Sequence, residues 1–402
     1  MIRFLTAGES HGKALTAILE GIPANLSISS DYINFQLKRR QAGYGRGLRM
    51  KIESDKVEIL SGVRNGKTLG SPISLIIKNK DWANWSETMS VEKSSALTDK
   101  ITIPRPGHAD LVGIIKYNFD DIRNSIERSS ARETAARVAA CSIARKLLEE
   151  FGISVGSYVE SIGGIYSRVN YLNTLLENKI TSNFKAVTLS NKADKSAVRV
   201  LDKVQEEKII SKIKTIKKKG DTLGGTFITI ASGLPAGLGS FVHYSNKLDA
   251  DIAQAILSVN AVKAVEIGAG FESAHLYGSK SHDEIKKNGD ILTRKTNRAG
   301  GIEGGISTGL PIIVRAAMKP IATLMNPIAS VDLKSLKKVD ARRERSDFVA
   351  VPACAVIAES MLVFAIAKHF VIKFGGDSIE EMKDNYKNYT SKIFKRIKNN
   401  FR

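Results

Sequence analysis

Three short segments set a titratable side chain among glycines or arginines: Gly8-Glu9-Ser10-His11-Gly12, Arg105-Pro106-Gly107-His108-Ala109-Asp110 and Arg345-Ser346-Asp347. Imidazole titrates near neutrality, so His11 and His108 can each pass a proton to a leaving phosphate or to a cofactor nitrogen. Asp347 precedes the apolar run Phe348-Val-Ala-Val-Pro352 and fits either a capping carboxylate or an ion-pair partner of the arginines. Together the segments describe a site that moves protons beside a bound anion. The other histidines, His243, His275, His282 and His369, have less distinctive surroundings. Neither a CxxC nor a Cys/His cluster occurs, so no metal site is expected.

The anion has candidate partners of its own. Arginines gather as Arg39, Arg40, Arg46 and Arg49, as Arg123, Arg128 and Arg132, and as Arg342, Arg343 and Arg345. The planar guanidinium fork matches carboxylate and phosphate, so these clusters point to a small polyanionic ligand rather than a diffuse basic surface. Ser130-Ala-Arg-Glu133 has the capping-box pattern and predicts a helix start flanked by Arg128 and Arg132, where free amides suit a phosphate. Lys319-Pro320-Ile321-Ala322-Thr323 adds a cation and a hydroxyl after a strand. Glycine-rich loops at 43–47, 222–225, 233–239 and 300–305 let backbone amides approach a ligand, and each equally suits an ordinary tight turn.

Elements able to hold these segments are visible in the periodicity. Helical spacing is strongest over 132–151, 203–218, 248–262 and 353–369, and strand-like runs occupy 57–60, 73–77, 225–231 and 312–317. Strands come in groups rather than in strict alternation with helices, which favours α+β over a doubly wound sheet. With 402 residues, 43% of them hydrophobic, and no Pro/Ser linker or fixed repeat, one large unit is expected. No stretch approaches the roughly 20 apolar residues of a membrane span, and the first residues include Arg3, Glu9 and His11, so a soluble, unprocessed protein is expected. Cys141 and Cys354 sit in apolar runs and read as free thiols of a reducing cytoplasm.

The net charge of +20 raises a nucleic-acid reading. Much of it lies in the lysines of 214–220 and in the tail from Lys373, which read as solvated helix faces. Neither a nucleic acid nor a membrane is therefore expected as a partner.

Taken in order, Gly8-Glu-Ser-His-Gly12, Arg39-Arg-Gln-Ala-Gly-Tyr-Gly-Arg46, Arg105-Pro-Gly-His-Ala-Asp110, Glu127-Arg-Ser-Ser-Ala-Arg-Glu-Thr-Ala-Ala-Arg137, Asn297-Arg-Ala-Gly-Gly-Ile-Glu-Gly-Gly305, Lys319-Pro-Ile-Ala-Thr323 and Arg345-Ser-Asp347 resemble the chorismate synthase family over roughly residues 1–370. The resemblance implies a β-α-β sandwich of α+β class in one domain over 1–370, and residues 371–402, outside it, are expected to form a basic, helical extension. It implies an anti 1,4-elimination of phosphate from 5-enolpyruvylshikimate 3-phosphate, with reduced FMN as cofactor, no net redox change, and NADPH only as an indirect reductant. It also implies a cytoplasmic homotetramer. By position, His11 would protonate the leaving phosphate, His108 would serve the flavin, and Asp347 would assist proton removal. Arg128, Ser129, Ser130, Asn260, Ala261, Gly304, Lys319, Pro320, Ile321, Ala322, Thr323 and Arg345 would contact FMN. Ser10, Arg40, Arg46, Arg49, Arg105 and Arg132 would meet the phosphate and carboxylates of the substrate. Ala264, Cys141, Thr308 and Leu310 depart from the usual pattern of the family.

Overall fold

Alternation along the first strands decides which face is buried. β1 (Arg3–Ala7) and β2 (Ala14–Glu20) form a hairpin that pairs Arg3 with Glu20 and Ala7 with Thr16. β3 (Val57–Ile59) and β4 (Ile73–Lys78) extend it into a four-stranded antiparallel sheet of order β1-β2-β4-β3. Leu15, Ala17 and Leu19 of β2 and Ile73, Leu75 and Ile77 of β4 point to the core, as a period of two requires. The computed structural model describes residues 1–47, 54–93, 99–181, 183–288, 291–344 and 347–400.

Helices α1 (Ser30–Gln41), α2 (Asp110–Tyr117), α3 (Ile122–Ser129) and α4 (Thr134–Glu149) follow. α4 packs on β2 and β4, and its Ala135, Ala136, Ala139, Ala140 and Ala144 keep it thin enough to be covered on nearly every side. A second antiparallel sheet contains β5 (Ser154–Ile162), β6 (Ile165–Tyr166), β7 (Gly225–Ser232), β8 (Val262–Ile267) and β9 (Ile312–Met318), in the order β8-β9-β7-β5-β6. Phe227, Ala231, Val314 and Ala316 face the main core, whereas Tyr158, Ile228, Ile230 and Ile313 face a smaller cluster that includes Ala186 and Ala193 of α5 (Ala186–Ala193). Burial on both faces explains why 312–317 reads as a mostly apolar run, broken only by Arg315, which pairs with Glu160 and Glu266. The mixed helix and strand content is that expected of α+β.

α6 (Lys203–Lys219) is closed by Gly220 in the left-handed region, and its last turn holds Lys217, Lys218 and Lys219. α7 (Leu248–Leu257) and α8 (Val351–Phe374) complete the interior. α8 touches α1, α4, α7, β5 and β7, so it lies between α4 and the second sheet. The expectation that no stretch of about 20 apolar residues occurs fails here. α8 reaches a mean hydropathy of 1.8, yet 83% of that apolar window is buried inside the protein. Glu359 interrupts the run, and Arg39 and Arg145 bind it in place.

α9 (Ile379–Asn400) contains most of the basic tail. Met382 is buried, Tyr386 packs among Phe151, Phe370 and Phe374, and Tyr389 donates its hydroxyl to the Ala236 carbonyl at 3.1 Å. Cys141 and Cys354 are buried free thiols, and burial pushes both up to about 12.

Candidate active site

Both long interior helices begin at the same place. Ser130, Ala131 and Thr134 at the start of α4, and Ala350, Ala353, Cys354 and Ile357 at the start of α8, line one cavity of about 740 Å³. Two helix N-termini therefore turn their amide ends toward it, a favourable setting for negative charge. The capping box forms only in part. Ser130 Oγ accepts from the Arg132 amide and caps a short turn, Ala131–Glu133, before α4 starts at Thr134. Glu133 does not reach back; it accepts from Thr6 at 2.6 Å and from Arg137 at 2.8 Å.

His11 sits in the β1–β2 connection. Gly8 opens that loop at φ +104°, where an added Cβ would lie 2.3 Å from the Ala14 carbonyl, so a side chain is excluded. His11 Nδ1 is 2.8 Å from Glu127 Oε1, and the His11 backbone amide donates to Glu127 Oε2 at 2.7 Å. The imidazole stacks on Trp85 with centroids 4.0 Å apart, and the Arg123 guanidinium lies 5.5 Å from the Trp85 ring centre. Burial works to raise the Glu127 carboxyl, but the hydrogen bonds and charge of His11, with Arg123, outweigh it and hold it below its usual range.

His108 is held in the same manner on another part of the wall. Its Nδ1 is 2.5 Å from Asp110 Oδ1, and Asp110 Oδ2 accepts from Arg105 Nε at 2.8 Å and from the Arg105 amide at 2.9 Å. A carboxylate this close needs a proton on Nδ1. The 3.1 Å approach of Arg105 Nη2 to the same nitrogen is then a contact between two donors, not a hydrogen bond. Burial would raise Asp110, yet His108 and Arg105 hold it well below the carboxylate range. Arg105 also reaches Thr323 Oγ1 at 3.1 Å and Glu344 at 2.9 Å, which ties the His108 loop to the segment after β9.

Asp347 faces the same cavity. Of its two sequence readings the ion pair is the one found: Oδ2 lies 3.3 Å from Arg46 Nε, and Oδ1 accepts from the Gly47 amide at 2.5 Å. Ser10, Arg40, Arg46 and Arg105 line the wall, and so do Ser129, Ser130, Asn260, Ala261 and the whole run from Lys319 to Thr323. Asn260 donates to the Ser129 carbonyl at 3.0 Å, and Ala261 occupies φ +67°, a strained backbone for alanine, braced by the Lys319 amide on its carbonyl. Arg40 is buried against Asp55, Thr134 and the Ala131 carbonyl, and burial brings its pKa down to about 10, still charged at neutrality.

Three sequence candidates stand outside the wall. Arg128 donates to the Gly8 and Thr6 carbonyls, Arg132 pairs with Asp55 and Asn79, and Gly304 lies in the hairpin of Ile302–Glu303 with Ile306–Ser307. Arg49 and Arg345 fall outside the described residues. Ala264, Cys141, Thr308 and Leu310 are not in the wall either. Conversely, the sequence assigns no role to Glu127, Asp110 or Trp85, whereas Arg123 and Arg342, members of its arginine clusters, do stand in the wall. Glu127 and Asp110 were already inside recognised segments, and the i,i+4 spacing of Arg123 and Glu127 was the available signal.

Among the described residues, Asn260 Oδ1, Arg123 Nε and Arg342 Nη1 are buried wall atoms with no hydrogen-bond partner in the protein. Beside them run Ile101, Ile126, Val259, Met318, Pro320 and Ile321. Unpartnered polar groups beside apolar side chains suit a ligand that carries both an apolar surface and hydrogen-bonding atoms.

Comparison with known proteins gives a consistent answer. The sequence model of the chorismate synthase family matches residues 2–371. Chorismate synthase of Chloroherpeton thalassium is 54% identical over 397 residues, covering 98% of this chain and all of the relative. That of Aquifex aeolicus is 51% identical over 394 residues, covering 98% of both chains. A crystal structure of a chorismate synthase superimposes with a TM-score of 0.78 at 42% identity, covering 98% of each chain.

Proposed function

We propose, from the premise that the chain belongs to the chorismate synthase family, that the cavity at the starts of α4 and α8 is its active site. The enzyme is a carbon–oxygen lyase that eliminates phosphate from 5-enolpyruvylshikimate 3-phosphate to give chorismate, in the shikimate pathway. The family works with reduced flavin, and we take FMN as the form bound, with NADPH only as an indirect reductant. When bound, that group supplies the transient electron donation that makes expulsion of an allylic phosphate feasible.

The chain's own residues hold charge and move protons. His11 delivers a proton to the departing phosphate, so the C–O bond breaks with its electron pair on an oxygen that is neutralised as it leaves. His108, fixed by Asp110, serves the flavin. Asp347, between Arg46 and the 43–47 loop, takes part in removing the hydrogen from the ring. Arg40, Arg46 and Arg105, with Ser10, balance the phosphate and carboxylates before reaction, as several anionic groups in one enclosed site require. Ser129, Ser130, Asn260, Ala261 and Lys319 to Thr323 hold FMN. Arg128 and Arg132 act one step back, bracing the loop of His11 and the Asp55 carboxylate.

The observation that carries this reading is that His11, His108 and Asp347, far apart in the sequence, line one arginine-bearing cavity. We further take the layers of sheet, helix and sheet as the family's β-α-β sandwich over 1–370, and the enzyme as a cytoplasmic homotetramer with neither nucleic acid nor membrane as partner. Light scattering far from four times the chain mass would count against the assembly. Anaerobic assay of phosphate release tests the chemistry: reduced FMN should support it and oxidised FMN should not, and release with both or with neither contradicts the assignment.

A further inference from the structure

Glu127 faces two donors at once. Its Oε2 accepts the His11 backbone amide at 2.7 Å while its Oε1 lies 2.8 Å from His11 Nδ1. It is buried, on α3, and its own backbone carbonyl accepts the Ser10 amide at 3.0 Å, so the loop and the imidazole share one anchor. Trp85 covers the ring from one side and is itself fixed by Nε1 donating to Asp81 Oδ2 at 3.1 Å. A carboxylate turns an acceptor oxygen to each of these two donors, whereas an amide would turn its NH2, itself a donor, toward one of them.

We propose that Glu127 is the positioning residue for proton transfer by His11: it keeps a proton on Nδ1, which makes Nε2 the nitrogen that gives up and regains the transferred proton. The proposal rests on the reading of His11 as the acid for the leaving phosphate. In the transfer, the Nε2–H bond breaks, a phosphate O–H bond forms, and His11 is left neutral with Nδ1–H still on Glu127; solvent restores the lost proton. The charged groups around the ring are Glu127 and Arg123 from α3, Asp81 from the turn Lys80–Asn84, and Arg46 and Arg105 elsewhere on the wall. Glu127 is in direct hydrogen-bond contact with the imidazole.

The test uses the whole protein labelled with ¹⁵N in its histidine rings, with His11→Ala identifying the His11 signals. In the parent, neutral His11 should be the Nδ1–H tautomer. In Glu127→Gln the amide oxygen stays with the His11 backbone amide and the NH2 takes the Oε1 place, where it donates to Nδ1, so the Nε2–H tautomer should appear, and loss of the negative charge should make the imidazolium easier to deprotonate. Phosphate release with reduced FMN should slow by about 10- to 100-fold, less than the ~10²–10⁴ of general acid catalysis as a whole, with its high-pH limb displaced downward in step. Glu127→Asp, which keeps two acceptors and the charge, should restore the Nδ1–H tautomer and the parent limb. A Glu127→Gln protein that keeps the parent tautomer and limb overturns the proposal, as does Glu127→Asp with the Nε2–H tautomer. If His11→Ala turns over like the parent, the acid role of His11 itself has failed; if His11→Ala is impaired while Glu127→Gln behaves as the parent, only the role of Glu127 has.

Discussion

Arg39 and Arg40, successive residues of α1, enter two different charged neighbourhoods. Arg39 joins a closed network about Glu359 of α8, whose Oε1 accepts from Arg39 at 2.8 Å and from Arg145, and whose Oε2 accepts from Arg39 at 3.1 Å, Ser157 at 2.7 Å and Ser190 at 3.1 Å. Asp194 closes the far side by pairing with Arg39 and Arg199. Arg40 lies at the cavity instead, where Asn260, Arg123 and Arg342 keep buried polar atoms that the protein does not satisfy. The first neighbourhood uses its carboxylate to hold α1, α4, α5, α8 and β5 together. The second leaves donors and an acceptor for a ligand. Arginine serves both purposes: the first neighbourhood leaves Arg199 Nε without a partner but away from the cavity, whereas the unpartnered atoms of the second belong to residues of the cavity wall.

The largest effect should come from breaking the closed network. Glu359→Gln removes the negative charge among Arg39, Arg145 and Arg199, and loss of one member of a buried ion cluster costs about 3–5 kcal/mol. Denaturant unfolding should show that loss, with turnover per folded molecule unchanged within about twofold. Burial would raise the Glu359 carboxyl, but Arg39 and Arg145 hold it far below the usual range. A depressed folded pKa means stability that is fully present above the unfolded value of about 4.3 and lost as pH falls through the folded one. The parent should therefore lose this contribution on acidification, and Glu359→Gln should lack that part of the acid limb. Equal stability of the two proteins at neutral pH would erase the distinction between the neighbourhoods.

The open neighbourhood predicts the opposite pattern, of similar or slightly smaller size. His11→Ala, His108→Ala and Asp347→Ala should each reduce turnover by about 10²- to 10⁴-fold, the range of acid–base contributions. Their unfolding midpoints should correspond to changes within about 1 kcal/mol, because each side chain is partly exposed at a cavity wall. Steady-state kinetics beside denaturant curves separate the outcomes; variants that unfold easily yet turn over normally would show the cavity to be structural.

How much of this was legible depends on the range of the interaction. The turn of His11, the helix after Ser130 and the strand 312–317 follow from local rules: glycine at positive φ, a capping hydroxyl, and a mostly apolar run between loops. The proton-handling histidines could be chosen because glycine and proline around them are unusual for buried structure. What a single sequence does not display is pairing across the fold. Arg132 stands in the first turn after a good phosphate-binding cap, yet its guanidinium meets Asp55, 77 positions earlier. Glu133 has the capping-box position and turns to Thr6 instead. Trp85 has no motif around it, and its stacking on His11 arises only when the turn Lys80–Asn84 folds over the β1–β2 loop. The helix of α8 was legible over 353–369, but its membrane-like apolar length was not: Glu359 interrupts the run, and the arginines that neutralise it come from α1, α4 and the loop at 199.

A matched pair of serines gives the smallest and cleanest contrast. Ser157 and Ser10 are both buried hydroxyls, at 0% and 3% exposure, so neither differs from the other in access to solvent. Ser157 Oγ donates to Glu359 at 2.7 Å and accepts from Arg199 at 3.1 Å, inside the closed network. Ser10 lines the cavity and accepts from Ser130 Oγ at 3.2 Å. Hydrogen bonds to charged groups contribute about 1.5–3 kcal/mol, so Ser157→Ala should lower stability by about that amount and leave kcat/KM within twofold. Ser10→Ala should do the reverse: stability within about 1 kcal/mol, since its hydrogen bond with Ser130 joins two neutral hydroxyls, and kcat/KM down by about tenfold as one donor to the anion is lost. Measuring both quantities on both variants sets four numbers against two expectations. A crossed result, with Ser157→Ala slowing catalysis and Ser10→Ala weakening the fold, would mean that the network about Glu359 shapes the reaction and that the cavity wall holds the structure.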